Sequence, residues 1–197
     1  MSALILPRSV ASSAAEDAEA LVNRVVGWYA TISVAQRRYS PEFVVLPHIV
    51  AVGEEFVREA LLDCSENQLA ATTQLHAALW SYGEANADRS WPNLRDCWKE
   101  WHGVDFAGFI RQSDMLALID ARNTVVHGLG ELTRKQTRKD GGSAVIARLS
   151  QIGIPVTAGR IDIPPAAIGV AREVVISLIT WIDGEIRSRS LWPTVPI

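Results

Sequence analysis

Sulfur is scarce in this chain of 197 residues, and what little there is lies scattered. The two cysteines, Cys64 and Cys97, form no CxxC pair, so neither a disulfide framework nor a thiolate metal site is encoded. Their apolar neighbours at helical spacing mark both as buried free thiols. His48, His76 and His102 stand far apart with no HxxxH or ExxH spacing, so no metal and no other cofactor is expected. Charge of one sign is also missing. A net charge of −3 with 21% charged residues rules out a globally basic nucleic-acid binder, and any phosphate contact must be local. No uninterrupted apolar run approaches the roughly 18 residues needed to cross a bilayer. Ala3-Leu4-Ile5-Leu6 is too short for a signal core, and Arg8 follows it instead of preceding it. The expected setting is therefore cytoplasmic, reducing and away from membranes. A GxxxxGK[ST] loop, a GxGxxG turn after a strand and a serine elbow are all absent, which removes ATPase, dehydrogenase and serine-hydrolase readings.

What the chain does have is apolar residues at helical spacing, 48% hydrophobic overall with seven tryptophans. The pattern predicts a mainly all-α fold: one domain over 1–197, a bundle of about five to six helices, with a small β-hairpin insertion before the last helix. Ser13 and Glu16 have capping-box spacing for a first helix with Leu21, Val25, Trp28, Tyr29 and Ile32 on its apolar face and Arg37 and Arg38 at its end. Ser40-Pro41 opens a second, which Pro47 should kink or split before Ile49, Val52, Phe56, Ala60 and Leu61. Ser65 and Gln68 suggest a cap for a third helix ending near Gly83. A short fourth runs from Pro92 to His102 and stops at Gly103. Ser113 would cap a fifth, buried through Met115, Leu118, Ile119 and Val126. The basic stretch Arg134 to Gly142 reads as a loop, and alternation at Val145, Ala147, Leu149, Ile161 and Ile163 as a hairpin over 143–163. Pro164-Pro165 starts the most apolar helix, with Ile168, Ala171, Val175, Leu178, Ile182 and Ile186 in register, and 191–197 form a tail. No internal repeat interrupts this order.

One stretch carries chemistry. Arg122-Asn123-Thr124-Val125-Val126-His127 lies at the end of the fifth helix, before Gly128 and Gly130. Histidine moves protons near neutral pH, and arginine binds phosphate oxygens in bidentate fashion. With 16 arginines and four histidines in the chain, an Arg–His pair five apart means little by itself. The Asn after Arg and the helix-ending glycine make the pattern more specific.

In these residues, placed late in an all-α chain, the sequence resembles the HEPN superfamily. Its signature is an Arg, usually followed by a polar residue, then a His after four to six residues. The likeness spans the order of helices over most of the chain, but only this motif is specific. It implies a metal-independent endoribonuclease, common among toxin–antitoxin and antiviral systems, that leaves a 2′,3′-cyclic phosphate. The implied catalytic residues are Arg122 for the phosphate, His127 for proton transfer and Asn123 for orientation. The implied partners are an RNA substrate, a second copy in a homodimer and a possible antitoxin protein. Arg134, Lys135, Arg138 and Lys139 would hold the RNA backbone beside the cleft, or would simply be solvated. A helix dipole favours a cation at its C-terminus, which moves His127 from the base role toward the acid role. On a regular helix residues five apart point about 140° away from each other, so Arg122 and His127 share a face only if the helix unwinds or two motifs meet across a dimer axis.

The alternative is a non-catalytic helical module of the same fold that binds a nucleotide or a partner protein. A purely structural role would have Arg122 paired with Asp120, Glu131 or another helix, and His127 closing the helix end. Glu54 and Glu55 are expected at the surface, and the tryptophans in packing.

Overall fold

The computed structural model describes residues 10–31, 40–68, 74–138 and 140–191. The expectations for Ile32, Arg37, Arg38, Leu69, Thr72, Lys139 and residues 192–197 lie outside these. The fold is all-α as expected, with a two-stranded antiparallel hairpin before the last helix. Eight α-helices stand among the described residues, more than the five or six expected. They are α1 (Val10–Thr31), α2 (Glu42–Gln68), α3 (Gln74–Ala87), α4 (Trp91–His102), α5 (Gln112–Gly128), α6 (Arg134–Thr137), α7 (Ser143–Gln151) and α8 (Pro165–Ser188). Strands β1 (Val156–Thr157) and β2 (Arg160–Ile161) lie between α7 and α8.

Several boundaries move for identifiable reasons. Helix α1 begins at Val10, so Ser13 is one of its interior residues and no cap. Its buried positions are Ala15 and Val22, while Leu21 and Trp28 face outward. Pro47 neither splits nor ends α2. The proline leaves the Phe43 carbonyl without its usual donor and crowds the turn around it. There the His48 ring stands 2.7 Å from the Val44 carbonyl, where Nδ1–H donates to it. Ser65 caps nothing: it is buried in α2 and donates to the Leu61 carbonyl at 2.8 Å. Helix α4 matches its expected extent, with Ser90 accepting from the Asn93 amide and Gly103 in the left-handed region at φ 68°.

The largest correction concerns residues 143–151. Val145, Ala147 and Leu149 alternate in sequence, but they form α7, not a strand. Val145 and Leu149 are buried four residues apart and Ala147 is exposed. Three alternating positions fit both periods, and the helical one wins because Val145 and Leu149 fall on one buried face. The hairpin is confined to 156–161, with Val156 opposite Ile161 and Thr157 opposite Arg160.

Two compact units organise the chain. One contains the start of α1, α2 from Glu54, α3, α4 and α8 from Ile179. The other contains α1 from Glu19, α2 up to Gly53, and the chain from Ala107 to Leu178. In the second, α2 and α8 approach closely at Gly53, where a Cβ would meet Val175 at 2.9 Å. Ile168, Ala171, Val175, Leu178, Ile182 and Ile186 are all buried, as the spacing of α8 predicts. By length and composition α8 is also apolar enough to cross a membrane. Its buried row along the helix is what a packed core helix shows.

In the first unit, Trp98 is fully buried and donates through Nε1 to the Val57 carbonyl at 3.0 Å. It packs against the His102 ring at 5.4 Å between centroids. His102 Nε2 lies 2.9 Å from Ser65 Oγ. Since the Ser65 proton goes to Leu61, Nε2 carries the hydrogen and Nδ1 is a bare acceptor, buried and without a hydrogen-bond partner. A proton added at Nδ1 would be a buried, unpaired charge, and burial holds the His102 pKa below its ordinary value. The unfolded chain therefore takes up a proton near pH 6.5 that the folded chain refuses, so stability falls as pH drops below about 6.5. Thermal melts between pH 7.5 and 5.5 are expected to show a falling midpoint, and His102→Gln should flatten that slope. An equal slope in the variant would place the titration elsewhere.

Candidate functional site

The motif lies on α5 in the second unit. This helix is buried through Met115, Ala117, Leu118, Ile119, Ala121 and Thr124, and past Thr124 it opens toward solvent. Val126, expected in the buried stripe, is 47% exposed, and His127 is exposed beside it. Ser113 is not the cap. The N-cap is Arg111, whose side chain pairs with Asp114 at 2.9 Å, while Ser113 Oγ donates to Gln151 Oε1 on α7 at 3.0 Å.

The helix stays regular through Gly128, so no unwinding brings Arg122 and His127 together. The chain turns one residue later than expected. Leu129 takes the left-handed conformation at φ 50°, and its amide and that of Gly130 both donate to the Thr124 carbonyl. Leu129 is 85% exposed, an unusual place for a branched apolar side chain in a conformation that costs L-residues about 1–2 kcal/mol. Gly130 follows at φ 92°, where a Cβ would stand 2.9 Å from the Phe43 ring. The hairpin then secures this exit. Ile161 N donates to Gly130 O at 2.9 Å, Leu132 N donates to Gly159 O at 2.8 Å, and Glu131 bridges to Arg160.

Helix geometry sorts the polar residues into one row. At about 100° per residue, Asp120, Asn123 and His127 fall within about 60° of one another, with Thr124 on the flank. Arg122 starts on the far side, but its Nη1 donates to Asn123 Oδ1 at 3.0 Å. That bond carries the guanidinium round toward the row ending in His127. Of the three partners weighed for Arg122 in a purely structural role, two are engaged elsewhere, which leaves a residue of another helix. Asp120 pairs with Arg148, and Glu131 pairs with Arg160 at 3.7 Å.

Asp120 organises the surroundings. Its Oδ2 accepts from Arg148 of α7 through Nε at 2.9 Å and Nη2 at 2.5 Å. Its carbonyl accepts from Thr124 Oγ1 at 2.8 Å and from Gln136 Nε2 at 2.9 Å. Gln136 belongs to α6, so the expected basic loop is in fact a short helix. Thr133 and Gln136 close it with a reciprocal capping box. Arg134, Lys135 and Arg138 are exposed on this segment. Thr133 lies against Gly128, where a Cβ would stand 3.4 Å from its methyl group. Helix α6 therefore runs along Asp120, Thr124 and Gly128, the row adjacent to Asn123 and His127.

Sequence reasoning thus placed Arg122, Asn123 and His127 on one helix end. It missed Thr124, Gln136 and Arg148, and weighed Asp120 only as a partner for Arg122. The Thr133-x-x-Gln136 spacing was the available signal for α6. Glu55, expected at the surface, is exposed and paired with Arg58 in the other unit. Among the described residues no cluster of three or more His, Cys, Asp or Glu is arranged to hold a metal. Cys64 is buried with its thiol pushed up to about 12 by burial, so it is no nucleophile near neutral pH. No protein-family model, curated protein or solved structure matches the chain.

Asp120→Asn removes a partly screened ion pair. It is expected to cost about 1 kcal/mol, or about 2–4 °C in melting temperature. His127→Ala, at an exposed position, should stay within about 0.5 kcal/mol of the parent. Equal losses in thermal melts of the two variants would show that His127 has a structural role.

Proposed function

We propose that this protein is a metal-independent endoribonuclease of HEPN type, a cytoplasmic toxin or defence effector that works as a homodimer. The observation that carries the reading is the joining of Arg122 to Asn123 on the side of α5 that ends in exposed His127. A phosphate-binding cation and a proton carrier are thereby presented at one open helix end. In the proposed reaction the ribose 2′ oxygen attacks the adjacent phosphorus and the 5′ oxygen leaves, giving a 2′,3′-cyclic phosphate. One proton leaves the 2′ hydroxyl and another reaches the departing 5′ oxygen. Arg122 neutralises charge on the non-bridging oxygens. Each protomer contributes one motif histidine, so two copies facing each other supply both a base and an acid. His127 at a helix C-terminus suits the acid step.

Exposed Val126 and Leu129 beside His127 support a protein contact at this end. The same observation favours a second reading, a non-catalytic module of this fold that docks a nucleotide or a partner such as an antitoxin. The strain at Leu129 fits a side chain retained for contact instead of for monomer stability.

Arg122→Ala and His127→Ala are each expected to lose at least about 100-fold in RNA cleavage while keeping the circular dichroism spectrum, and exposed His127→Ala should also keep the melting temperature. Chelation should change nothing. Undiminished cleavage in both variants would remove the assignment. Leu129→Gly relieves the backbone strain and should leave the monomer as stable or up to about 1 kcal/mol more stable. By sedimentation it should shift the assembly toward monomer; an unchanged mass distribution would exclude Leu129 from the interface.

A further inference from the structure

We infer that Gln136 is a positioning residue that latches the basic helix α6 to the motif helix, so that Arg134, Lys135 and Arg138 take the phosphate backbone of a single-stranded RNA beside His127. The inference rests on the ribonuclease reading for its ligand, and on the hydrogen bonds around Gln136 for its mechanism.

Helix α6 has four residues and buries none of them. So short a helix has no stability of its own in water. One side-chain amide both closes it and bonds it to α5. Gln136 Oε1 accepts from Thr133 N at 2.9 Å and from Thr133 Oγ1 at 2.8 Å, which closes the capping box. Gln136 Nε2 donates to the Asp120 carbonyl at 2.9 Å and lies 3.0 Å from Thr124 Oγ1. One side chain thus shapes α6 with its oxygen and fastens it to α5 with its nitrogen. The attachment point is one turn from Asn123 and two from His127, on the neighbouring row of the same helix.

The cations on α6 are arranged for an external partner. Arg134, Lys135 and Arg138 are exposed, and none makes an ion pair with a described residue. The nearest acid in sequence on the N-terminal side, Glu131, is taken by Arg160. Three cations with no ion pair to a described residue, held on the row adjacent to His127, fit successive phosphates of a strand that enters there. In a chain with net charge −3 this local patch is what backbone affinity requires.

The test uses the full chain in a His127→Ala background, with a short fluorescein-labelled single-stranded oligoribonucleotide and anisotropy read across a salt series. Replacing Arg134, Lys135 and Arg138 together by Ala sets the full contribution of α6, with the log–log salt slope falling by about 0.7 per lost phosphate contact. Gln136→Met should weaken binding at least about fivefold with a shallower slope, and add nothing in the triple-Ala background. Hydrogen exchange should accelerate at the amides of 133–138. Gln136→Glu keeps the capping acceptor and loses the donor to Asp120. It should behave like Gln136→Met and decides the matter if that variant fails to fold. Unchanged binding in both Gln136 variants, or an equal loss with and without the three cations, would overturn the latch. Cleavage by the parent chain decides the other reading separately. Binding that depends on Gln136 without cleavage keeps the latch and removes the nuclease, and cleavage indifferent to Gln136 does the reverse.

Discussion

A backbone carbonyl and a carboxylate on one residue, Asp120, hold three helices in register. The carboxylate receives the Arg148 guanidinium from α7. The carbonyl receives the hydroxyl of Thr124 from its own helix and the amide of Gln136 from α6. Thr124 is fully buried, and Asp120 and Gln136 are half-buried. Leaving such groups unmade costs about 1–3 kcal/mol each, more than a formed bond contributes. The arrangement is therefore specified more by what its loss would expose than by what each bond adds. Both α6 and α7 reach the motif helix through this point, and α6 buries no residue that would hold it otherwise.

The other constraint is the exit of α5. A helix that ends at an open site needs its last carbonyls satisfied without covering the site. Here the Thr124 carbonyl takes two amides, and the hairpin binds residues 130–132 through backbone bonds and the Glu131–Arg160 ion pair. Gly130 permits the close approach of Phe43, while Leu129, the residue before it, carries positive φ and an exposed side chain. The hairpin has few buried side chains of its own besides Ile161. Its role is to fix the direction in which the chain leaves the motif, so that His127 stays uncovered.

Long periodic segments were legible in the sequence. The full buried row of α8 follows from its 3–4 spacing, and α4 from Pro92 and Gly103. The motif residues were legible as chemistry through the Asn after Arg122 and the helix-ending glycine, not through the Arg–His pair alone. What failed was short or ambiguous. Val145, Ala147 and Leu149 satisfy period two over five residues, and only the buried side of α7 distinguishes the alternatives. Ser13 and Ser65 carry capping-box spacing inside helices, where Ser65 instead donates back to Leu61. Such patterns state what a terminus needs without showing that one is there. Asp120, Gln136 and Arg148 lie up to 28 residues apart and are joined by tertiary bonds, so no local spacing announces them.

The 140° between Arg122 and His127 is what makes assembly the central issue for the proposed activity. The helix does not unwind, so one protomer cannot close this angle through its backbone. Asn123 narrows it by drawing Arg122 round, which brings the phosphate ligand toward the row of His127 but adds no second proton carrier. Cyclisation of a phosphodiester by its own 2′ oxygen, with the 5′ oxygen leaving, moves two protons in opposite senses, and one imidazole would have to reverse its role within a single step. A second motif facing the first removes that conflict. It would also give exposed Val126 and Leu129 an apolar partner at the C-terminal end of α5. Under the ribonuclease reading, then, the exposed apolar residues and the incomplete proton inventory are two aspects of one requirement. On that reading, a helix end that is strained, open and half-equipped would acquire both its missing surface and its missing acid or base from the same neighbour.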